Sequence, residues 1–187
     1  MSRNTDRAWQ FKCVLIGDGA VGKTSIRRKY MGEGFVTSHL ATIGVDFAKK
    51  VIDRNGATVW LVIWDLAGQP SYETVRRHYY MGCHSIILVY SVDNRESFDH
   101  ASKWLVEAHK YMGKLPPTAV LANKIDLRDA RPSDEMVSTD EGRRFAKIFS
   151  DRLDVPVLFR ETSALTGESI QEIFHELIEL MIKLNPV

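Results

Sequence analysis

The sequence predicts an α/β fold, a three-layer sandwich in which helices cover both faces of a mostly parallel six-stranded sheet with one antiparallel strand. Two observations support this prediction. Apolar runs of strand length alternate with amphipathic runs of helix length, and several of the apolar runs lack the polar alternation of a half-exposed strand. One short connection, Arg54-Asn55-Gly56, has the composition of a hairpin turn, whereas the other strands are joined through helices and should be parallel.

The predicted strands are rich in Val, Ile, Leu and aromatic residues. They are Gln10–Ile16, Val45–Asp53, Thr58–Trp64, Ser85–Ser91, Thr118–Asn123 and Pro156–Glu161. Helices are predicted at 22–31, 71–81, 95–111, 139–151 and 169–184. Ser169 and Glu172 have the spacing of a capping box at the start of the last helix. No repeat or linker interrupts the pattern, so we expect residues 1–187 to form one domain.

The composition argues against several classes of protein. With 25 basic and 24 acidic residues the formal net charge is +1, so we expect no nucleic-acid partner. The two cysteines, Cys13 and Cys83, lie in or beside apolar runs, which indicates no disulfide framework and a reducing, cytoplasmic setting. The sequence has no signal-peptide core and no apolar run of membrane-spanning length. We therefore expect a soluble cytoplasmic protein.

The stretch GDGAVGKT, residues 17–24, lies between the first predicted strand and helix and matches the pattern G-x-x-x-x-G-K-[ST]. Its glycines let successive N–H groups point inward and form an anion site at a helix N-terminus. Lys23 would reach the β- and γ-phosphates, and Thr24 would hold Mg²⁺. A simple packing turn is the alternative, but the complete pattern favours a polyphosphate site. The predicted nucleotide contacts here are Gly19, Ala20, Val21, Gly22, Lys23, Thr24 and Ser25.

A second motif, Asn123-Lys124-Ile125-Asp126, follows the fifth predicted strand, at the sheet edge where ligands of such folds bind. Asp126 can accept hydrogen bonds from guanine N1–H and the exocyclic amine, and adenine would leave it unpaired. Such a site rejects the wrong base by roughly 10⁴-fold or more. Lys124 would cover the base, and Asn123 would tie this loop to the phosphate loop. Alone the motif is a common surface turn, but with the phosphate loop it indicates one pocket.

Two further segments complete the predicted pocket. After the sixth strand comes Thr162-Ser163-Ala164, where a backbone N–H can meet guanine O6, and the predicted contacts here are Ser163, Ala164 and Leu165. At the end of the third strand, Asp65 can hold a water of the Mg²⁺ shell. Gly68 can donate its amide N–H to the γ-phosphate, and Gln69 is placed to orient an attacking water. The pattern Asp-x-x-Gly is weak by itself and gains weight from its position in the fold.

With these motifs in order, the chain resembles the Ras superfamily of small GTPases from about Phe11 to Leu184. The Rab branch is the most similar, through Thr42–Phe47, Trp64–Gln69 and Tyr79–Gly82. The resemblance implies a small G domain of the P-loop NTPase fold that binds GTP or GDP with Mg²⁺. It also implies a monomeric switch in vesicle trafficking or signalling, whose switch regions contact effector, GAP and GEF proteins.

The resemblance assigns further roles. Thr42 corresponds to the switch I threonine that binds Mg²⁺ and the γ-phosphate, and Phe35 to the aromatic residue that packs against guanine. Phe47, Trp64 and Tyr79 correspond to an aromatic triad that partners contact. Plain core packing is the alternative for these three, and the two roles can coexist.

The chain also departs from the Rab pattern. Leu66 and Leu165 replace a usual threonine and lysine, and Ala20 is similar to the Rho branch. Extra residues are predicted around Arg131–Met136 and Asp151–Asp154, as a partner surface or simply a longer loop. The final segment LIELMIKLNPV has no cysteine, so we expect no prenyl anchor here, either because a tail was removed or because none is used.

The predicted hydrolysis is slow. Lys23, Thr24, Thr42 and Mg²⁺ supply charge and Gln69 positions water, but no arginine lies between Arg28 and Thr42 to act in cis. We expect unassisted turnover on the order of tens of minutes, accelerated about 10³- to 10⁵-fold by a partner's arginine. Two alternatives stay open at this point: a nucleotide-binding scaffold that no longer hydrolyses, and another P-loop enzyme such as a nucleotide kinase.

Overall fold

The computed structural model describes residues 8–36, 42–54, 56–130 and 136–186. Within these ranges the strands are β1 (Ala8–Ile16), β2 (Val45–Arg54), β3 (Ala57–Leu66), β4 (Ser85–Ser91), β5 (Thr118–Asn123) and β6 (Val157–Thr162). They form one sheet in the order β2-β3-β1-β4-β5-β6. β2 pairs with β3 antiparallel, and the other pairings are parallel. The predicted sheet is therefore confirmed, with strand ends within two residues of those expected.

The helices of the described residues are α1 (Lys23–Met31), α2 (Glu73–Tyr80), α3 (Arg95–Asp99), α4 (Ala101–Met112), α5 (Thr139–Leu153) and α6 (Ile170–Leu184). Short 3₁₀ turns precede α2 at Pro70–Tyr72 and follow β5 at Ile125–Leu127. The single helix predicted over 95–111 was wrong in one respect, because the structure has two helices that meet at His100. The backbone tightens there, where the His100 carbonyl accepts the amide of Lys103 at 2.9 Å.

Two apolar layers hold the helices on the sheet. Beneath α1 and α6, side chains such as Ile26, Tyr30 and Phe174 pack on one face of the sheet. Beneath α2, α4 and α5, side chains such as Tyr80 and Leu105 pack on the other. β4 and β5 are buried along their whole length, which explains why their sequences lack polar alternation. This arrangement is the predicted three-layer sandwich, and it leaves the carboxyl ends of the parallel strands free to position a site.

The predicted capping box at Ser169 is wrong. Ser169 has a left-handed backbone (φ 57°), and its side chain makes no capping hydrogen bond to α6. A capping side chain needs an extended backbone at that position, and the tight turn that leads into α6 prevents this. Ser138 and Glu141, which have the same spacing, form a capping box at the start of α5.

Some of the remaining sequence predictions fall partly on residues outside the described ranges. β2 and β3 pair as far as Arg54 and Ala57, as the hairpin prediction requires, although Asn55 lies outside the described residues. In the first predicted insertion, 131–135 likewise lie outside them. The second insertion, Asp151–Asp154, includes the last turn of α5. Both cysteine thiols are free. None of the helices in the described ranges combines the length and apolar character needed to span a bilayer.

Candidate functional site

The loop between β1 and α1 wraps around the ammonium group of Lys23. Lys23 Nζ donates to the carbonyl oxygens of Gly17 and Asp18, both at 2.7 Å, and the residue is only 6% exposed. Burial lowers the pKa of Lys23 to about 8, although the nearby carboxylates of Asp65 and Asp18 oppose this shift. The loop therefore presents one buried cation, held by backbone oxygens, at the N-terminus of a helix.

Two glycines explain why the loop can take this course. At Gly17 (φ 134°) a Cβ atom would lie 2.1 Å from the carbonyl oxygen of Val89 in β4. At Gly22 (φ 102°) it would lie 2.2 Å from the side-chain nitrogen of Asn123. Any other residue would force the loop away from the neighbouring strand ends, so the glycines serve close approach as well as backbone curvature.

Oxygen atoms of three separate segments meet beside Lys23. The hydroxyl groups of Thr24 and Thr42 are 2.9 Å apart, and the Thr24 hydroxyl also donates to Asp65 Oδ2. Asp65 is fully buried, and its Oδ1 has no hydrogen-bond partner among the described residues. Burial accordingly raises the pKa of Asp65, with the Thr24 hydrogen bond and Lys23 acting in the opposite direction. Hydroxyl and carboxylate oxygens with an unsatisfied buried acceptor fit the ligand preference of Mg²⁺.

Gly68 and Gln69 follow β3 and border the same space. The Gly68 Cα lies so close to the phosphate loop that a Cβ would be 2.5 Å from the Asp18 carbonyl carbon and the Gly19 nitrogen. Gln69 lines the cleft, and its Oε1 is buried without a hydrogen-bond partner in the described part of the chain. A side-chain amide in this state is available to a ligand or a water molecule.

Asn123, at the end of β5, joins three segments. Its Nδ2 donates to the carbonyl oxygen of Val21 at 2.9 Å. Its Oδ1 accepts from the Thr162 hydroxyl and from the Ala164 amide, each at 3.2 Å. The residue is 1% exposed, so these hydrogen bonds are shielded from water. The predicted tie between this loop and the phosphate loop is thus present as a set of direct contacts.

The residues after Asn123 line the wall of the cleft. Lys124 has a left-handed backbone (φ 68°), a conformation that costs a side-chain-bearing residue about 1 kcal/mol or more and is concentrated at functional sites. The Ser163 hydroxyl donates to Asp126 Oδ1 and accepts the Thr166 amide at 3.1 Å. Asp126 is half-buried and lines the cleft, and this hydrogen bond ties its carboxylate to the segment after β6.

These segments enclose one cleft of about 490 Å³, a size typical of small-molecule sites. Most of the predicted nucleotide contacts line it. They are Gly19, Ala20, Gly22, Lys23, Thr24, Ser25, Phe35, Thr42, Gly68, Gln69, Asn123, Lys124, Asp126, Ala164 and Leu165. Val21, Asp65 and Ser163 do not line it and instead support it from behind, through the hydrogen bonds described above.

Three lining residues were not predicted, namely Arg28, Val36 and Leu127. Arg28 lies four residues after Thr24 on α1, so the helical period places it on the same face. That spacing is the signal that could have identified it. Val36 and Leu127 directly follow predicted positions, and nothing in their residue type marked them.

The aromatic side chains predicted to contact partners, Phe47 on β2, Trp64 on β3 and Tyr79 on α2, lie next to one another. The Phe47 and Trp64 rings are 5.2 Å apart, and the Trp64 and Tyr79 rings 5.1 Å. Phe47 is 61% exposed, whereas Trp64 and Tyr79 are partly buried and pack against the core. The geometry therefore combines a core contact with an exposed apolar edge.

The glycine-containing loop curls around a buried ammonium at a helix N-terminus, beside a Mg²⁺-compatible oxygen cluster and at the carboxyl ends of parallel strands. These features define the class of P-loop nucleotide-binding proteins.

Comparisons with known proteins then narrow this class. The model of the Ras family matches residues 12–183. The Ras-related protein RABD2c of Arabidopsis thaliana is 37% identical over 171 residues, which cover 91% of this chain and 80% of that protein. The GTP-binding protein YPTM2 of Zea mays is 36% identical over 91% of this chain and 79% of its own length. The Ras-related protein Rab-10 of Caenorhabditis elegans is 36% identical over 94% and 83%, respectively.

The chain belongs to the Ras family and is a Rab-like small GTPase. It binds guanine nucleotide, hydrolyses GTP to GDP and acts as a nucleotide-dependent switch. The alternative of a scaffold without hydrolysis is not supported.

Proposed function

We propose that the cleft performs this activity with the residues assigned from the sequence. The observation that supports the assignment most strongly is the convergence of several separate chain segments on one cleft, with residues of the phosphate loop, Asp126 and Leu165 all in its lining. In this proposal Asp126 and the Ser163–Leu165 backbone recognise guanine, while Phe35 and Lys124 cover its faces. The amides from Gly19 to Ser25 bind the phosphates.

The hydrolytic step is proposed to depend on positioning and charge. The Lys23 ammonium stabilises negative charge on the β- and γ-phosphate oxygens, and the Gln69 amide orients the attacking water. Thr24, Thr42 and Asp65 would hold Mg²⁺, which supplies further neutralisation of that charge. No covalent intermediate is needed. Because no arginine of switch I is available in cis, a partner's arginine would accelerate the reaction about 10³- to 10⁵-fold.

The switch is proposed to operate through Thr42 and Gly68. Both are expected to contact the γ-phosphate, so that hydrolysis releases the segments on which they lie. Effector, GAP and GEF proteins would recognise these segments together with Phe47, Trp64 and Tyr79. We propose that the chain functions as a monomeric single domain in the cytoplasm, in vesicle trafficking or signalling, and reaches membranes through its partners.

Base selectivity provides the test. Protein stripped of nucleotide with EDTA and reloaded with Mg²⁺ is titrated with fluorescent GTP and ATP analogues. We expect the GTP analogue to bind at least about 10⁴-fold more tightly. Asp126→Ala should remove most of this preference, whereas Asp129→Ala, an exposed carboxylate shortly after it, should not. Equal binding of both analogues by the unmodified chain would contradict the proposal.

A further inference from the structure

One arginine of α2 is buried beside the loop that carries Gln69. Arg76 is 2% exposed, although its neighbour Arg77 is exposed. Arg76 Nη1 donates to the carbonyl oxygen of Ala67 at 3.2 Å and to that of Gln69 at 2.7 Å. A single guanidinium nitrogen therefore binds the backbone on both sides of Gly68.

The rest of the guanidinium group is anchored on α4. Arg76 Nε and Nη2 donate to the two carboxylate oxygens of Glu107 at 2.8 and 2.7 Å. The Tyr80 hydroxyl donates to the same carboxylate at 2.8 Å. This two-point geometry fixes the orientation of the planar group, which a single-point contact would not do. The backbone of residues 67–69 is thus bound to α4 through one side chain.

The same helix also holds the phosphate loop. The Arg76 guanidinium lies 4.6 Å from the ring centre of Trp104, whose indole nitrogen donates to Asp18 Oδ1 at 2.6 Å. His100 Nδ1 lies 2.8 Å from Asp18 Oδ2. Asp18 belongs to the phosphate loop, and its carbonyl oxygen accepts a hydrogen bond from Lys23. The helix α4 therefore supports the phosphate loop through Asp18 and the loop that carries Gln69 through Arg76.

The side chain of Gln69 depends on this support. Its Oε1 has no hydrogen-bond partner among the described residues, so the positions that the amide can reach depend on where the Gln69 backbone lies. That backbone is held on one side by the close approach of Gly68 to Asp18 and on the other by Arg76. A displacement of about 1 Å at a catalytic group can cost on the order of 10²-fold in rate.

We propose that Arg76, fixed by Glu107, is a positioning residue for GTP hydrolysis that acts through Gln69. The inference rests on the proposed role of Gln69 in orienting the attacking water. Arg76 itself does not touch the nucleotide. It fixes the position and direction of the Gln69 backbone relative to the phosphate loop. The helix α4 supports both the Gln69 backbone and the phosphate loop.

Arg76→Lys is the central variant because it keeps the charge and removes the two-point contact. Arg77→Lys is the matched control, since it makes the same change at an exposed position on the same helix. We expect Arg76→Lys to lower the single-turnover rate of GTP hydrolysis about 10- to 100-fold. Its affinity for a fluorescent GTP analogue should stay within about threefold of the unmodified chain, because no predicted nucleotide contact is removed.

The Gln69→Ala background separates positioning from a general structural effect. If Arg76 acts through Gln69, Arg76→Lys should slow hydrolysis little further in Gln69→Ala, because the group it positions is gone. An equal slowing in both backgrounds, a proportional loss of GTP affinity, or no slowing at all would overturn the proposal. Gln69→Ala with an unchanged rate would show instead that the role of Gln69 is wrong, and the inference about Arg76 would fall with it.

Glu107→Gln provides a second test of the proposal in case Arg76→Lys does not fold. It leaves Arg76 in place but replaces one acceptor oxygen of the fork with an N–H donor. We expect the same selective loss of hydrolysis, smaller than in Arg76→Lys and again dependent on Gln69. A Glu107→Gln protein with unchanged hydrolysis would show that the fork does not position the loop.

Discussion

The two ends of the nucleotide cleft are built in opposite ways. At the end proposed to hold the base, Asn123 is bonded to Val21, Thr162 and Ala164, and most of its hydrogen-bonding capacity is satisfied within the protein. At the end proposed to hold the phosphates, Asp65 and Gln69 each bury an oxygen atom that has no partner among the described residues. We call the end at Asn123 the complete end, because that side chain is satisfied within the protein, and the end at Asp65 and Gln69 the variable end, because their buried oxygen atoms are open to other partners.

This difference matches what a switch requires. A base compartment that is organised in advance can hold the nucleotide equally well before and after hydrolysis. Groups that lack partners at the phosphate end gain them from phosphate, metal or water, so their free energy depends on which nucleotide is bound. Arg76 supports the variable end, because it binds the backbone carbonyl of Gln69 and leaves the side-chain amide available to other partners.

The largest expected effect comes from breaking the complete end. Asn123→Ala would leave the Val21 carbonyl, the Thr162 hydroxyl and the Ala164 amide unsatisfied. We expect a loss of about 2–4 kcal/mol in the free energy of unfolding and a 10²- to 10³-fold loss of affinity for GTP and GDP alike, measured by denaturation and by nucleotide titration.

The control for this variant is Asn94→Ala. Asn94 caps α3 by accepting the Ser97 amide at 3.1 Å, away from the cleft. It should cost about 1 kcal/mol of stability and leave nucleotide affinity unchanged. A GTP-selective loss in Asn123→Ala would show that the base end also senses the γ-phosphate, and would refute the division drawn above.

A smaller effect is expected at the variable end, where one substitution should keep or raise the stability of the protein but weaken the Mg²⁺-dependent binding of GTP. In Asp65→Asn the neutral amide is less costly to bury than a carboxylate with an unsatisfied oxygen, so the nucleotide-free protein should be as stable as the unmodified chain or about 1 kcal/mol more stable. The gain in GTP affinity on adding Mg²⁺ should fall by about tenfold, because one member of the oxygen cluster is lost. Unfolding in EDTA and nucleotide titrations with and without Mg²⁺ measure the two effects.

Asp53→Asn is a matched substitution on the exposed end of β2, and neither quantity should change in it. If Asp65→Asn destabilised the nucleotide-free protein instead, the buried carboxylate would have to be satisfied without ligand. The contrast between the two ends would then be lost.

The complete end of the site was the easier one to predict from the sequence. The strands Ser85–Ser91 and Thr118–Asn123 were predicted to the residue because they are buried on both faces and bounded by polar segments. The nucleotide motifs follow such strands directly, and most of the residues assigned to them line one cleft. The Ras-family membership that these motifs indicated was confirmed by the comparisons.

What the sequence did not predict depends on contacts between distant segments. Nothing in α2 distinguishes Arg76 from Arg77 by residue type, and the partner Glu107 lies 31 positions further on. The spacing of Arg76 and Tyr80 on one helical face was the only local sign that Arg76 faces inward. The Ser169 cap failed for a similar reason, because the preceding turn decides its backbone conformation and the local pattern does not show this.

The smallest expected effect is a pH dependence confined to the phosphate end. Burial lowers the pKa of Lys23 to about 8 in the nucleotide-free chain, and phosphate binding favours the charged form and raises that pKa again. Binding above this pH must therefore take up a proton, and GTP affinity should fall about fourfold between about pH 7 and about pH 8.5. Lys23→Arg, which stays charged over this range, should show a flat profile whatever its absolute affinity. A flat profile in the unmodified chain would mean that Lys23 is already fully charged without nucleotide, and that the phosphate end is better satisfied than its contacts indicate.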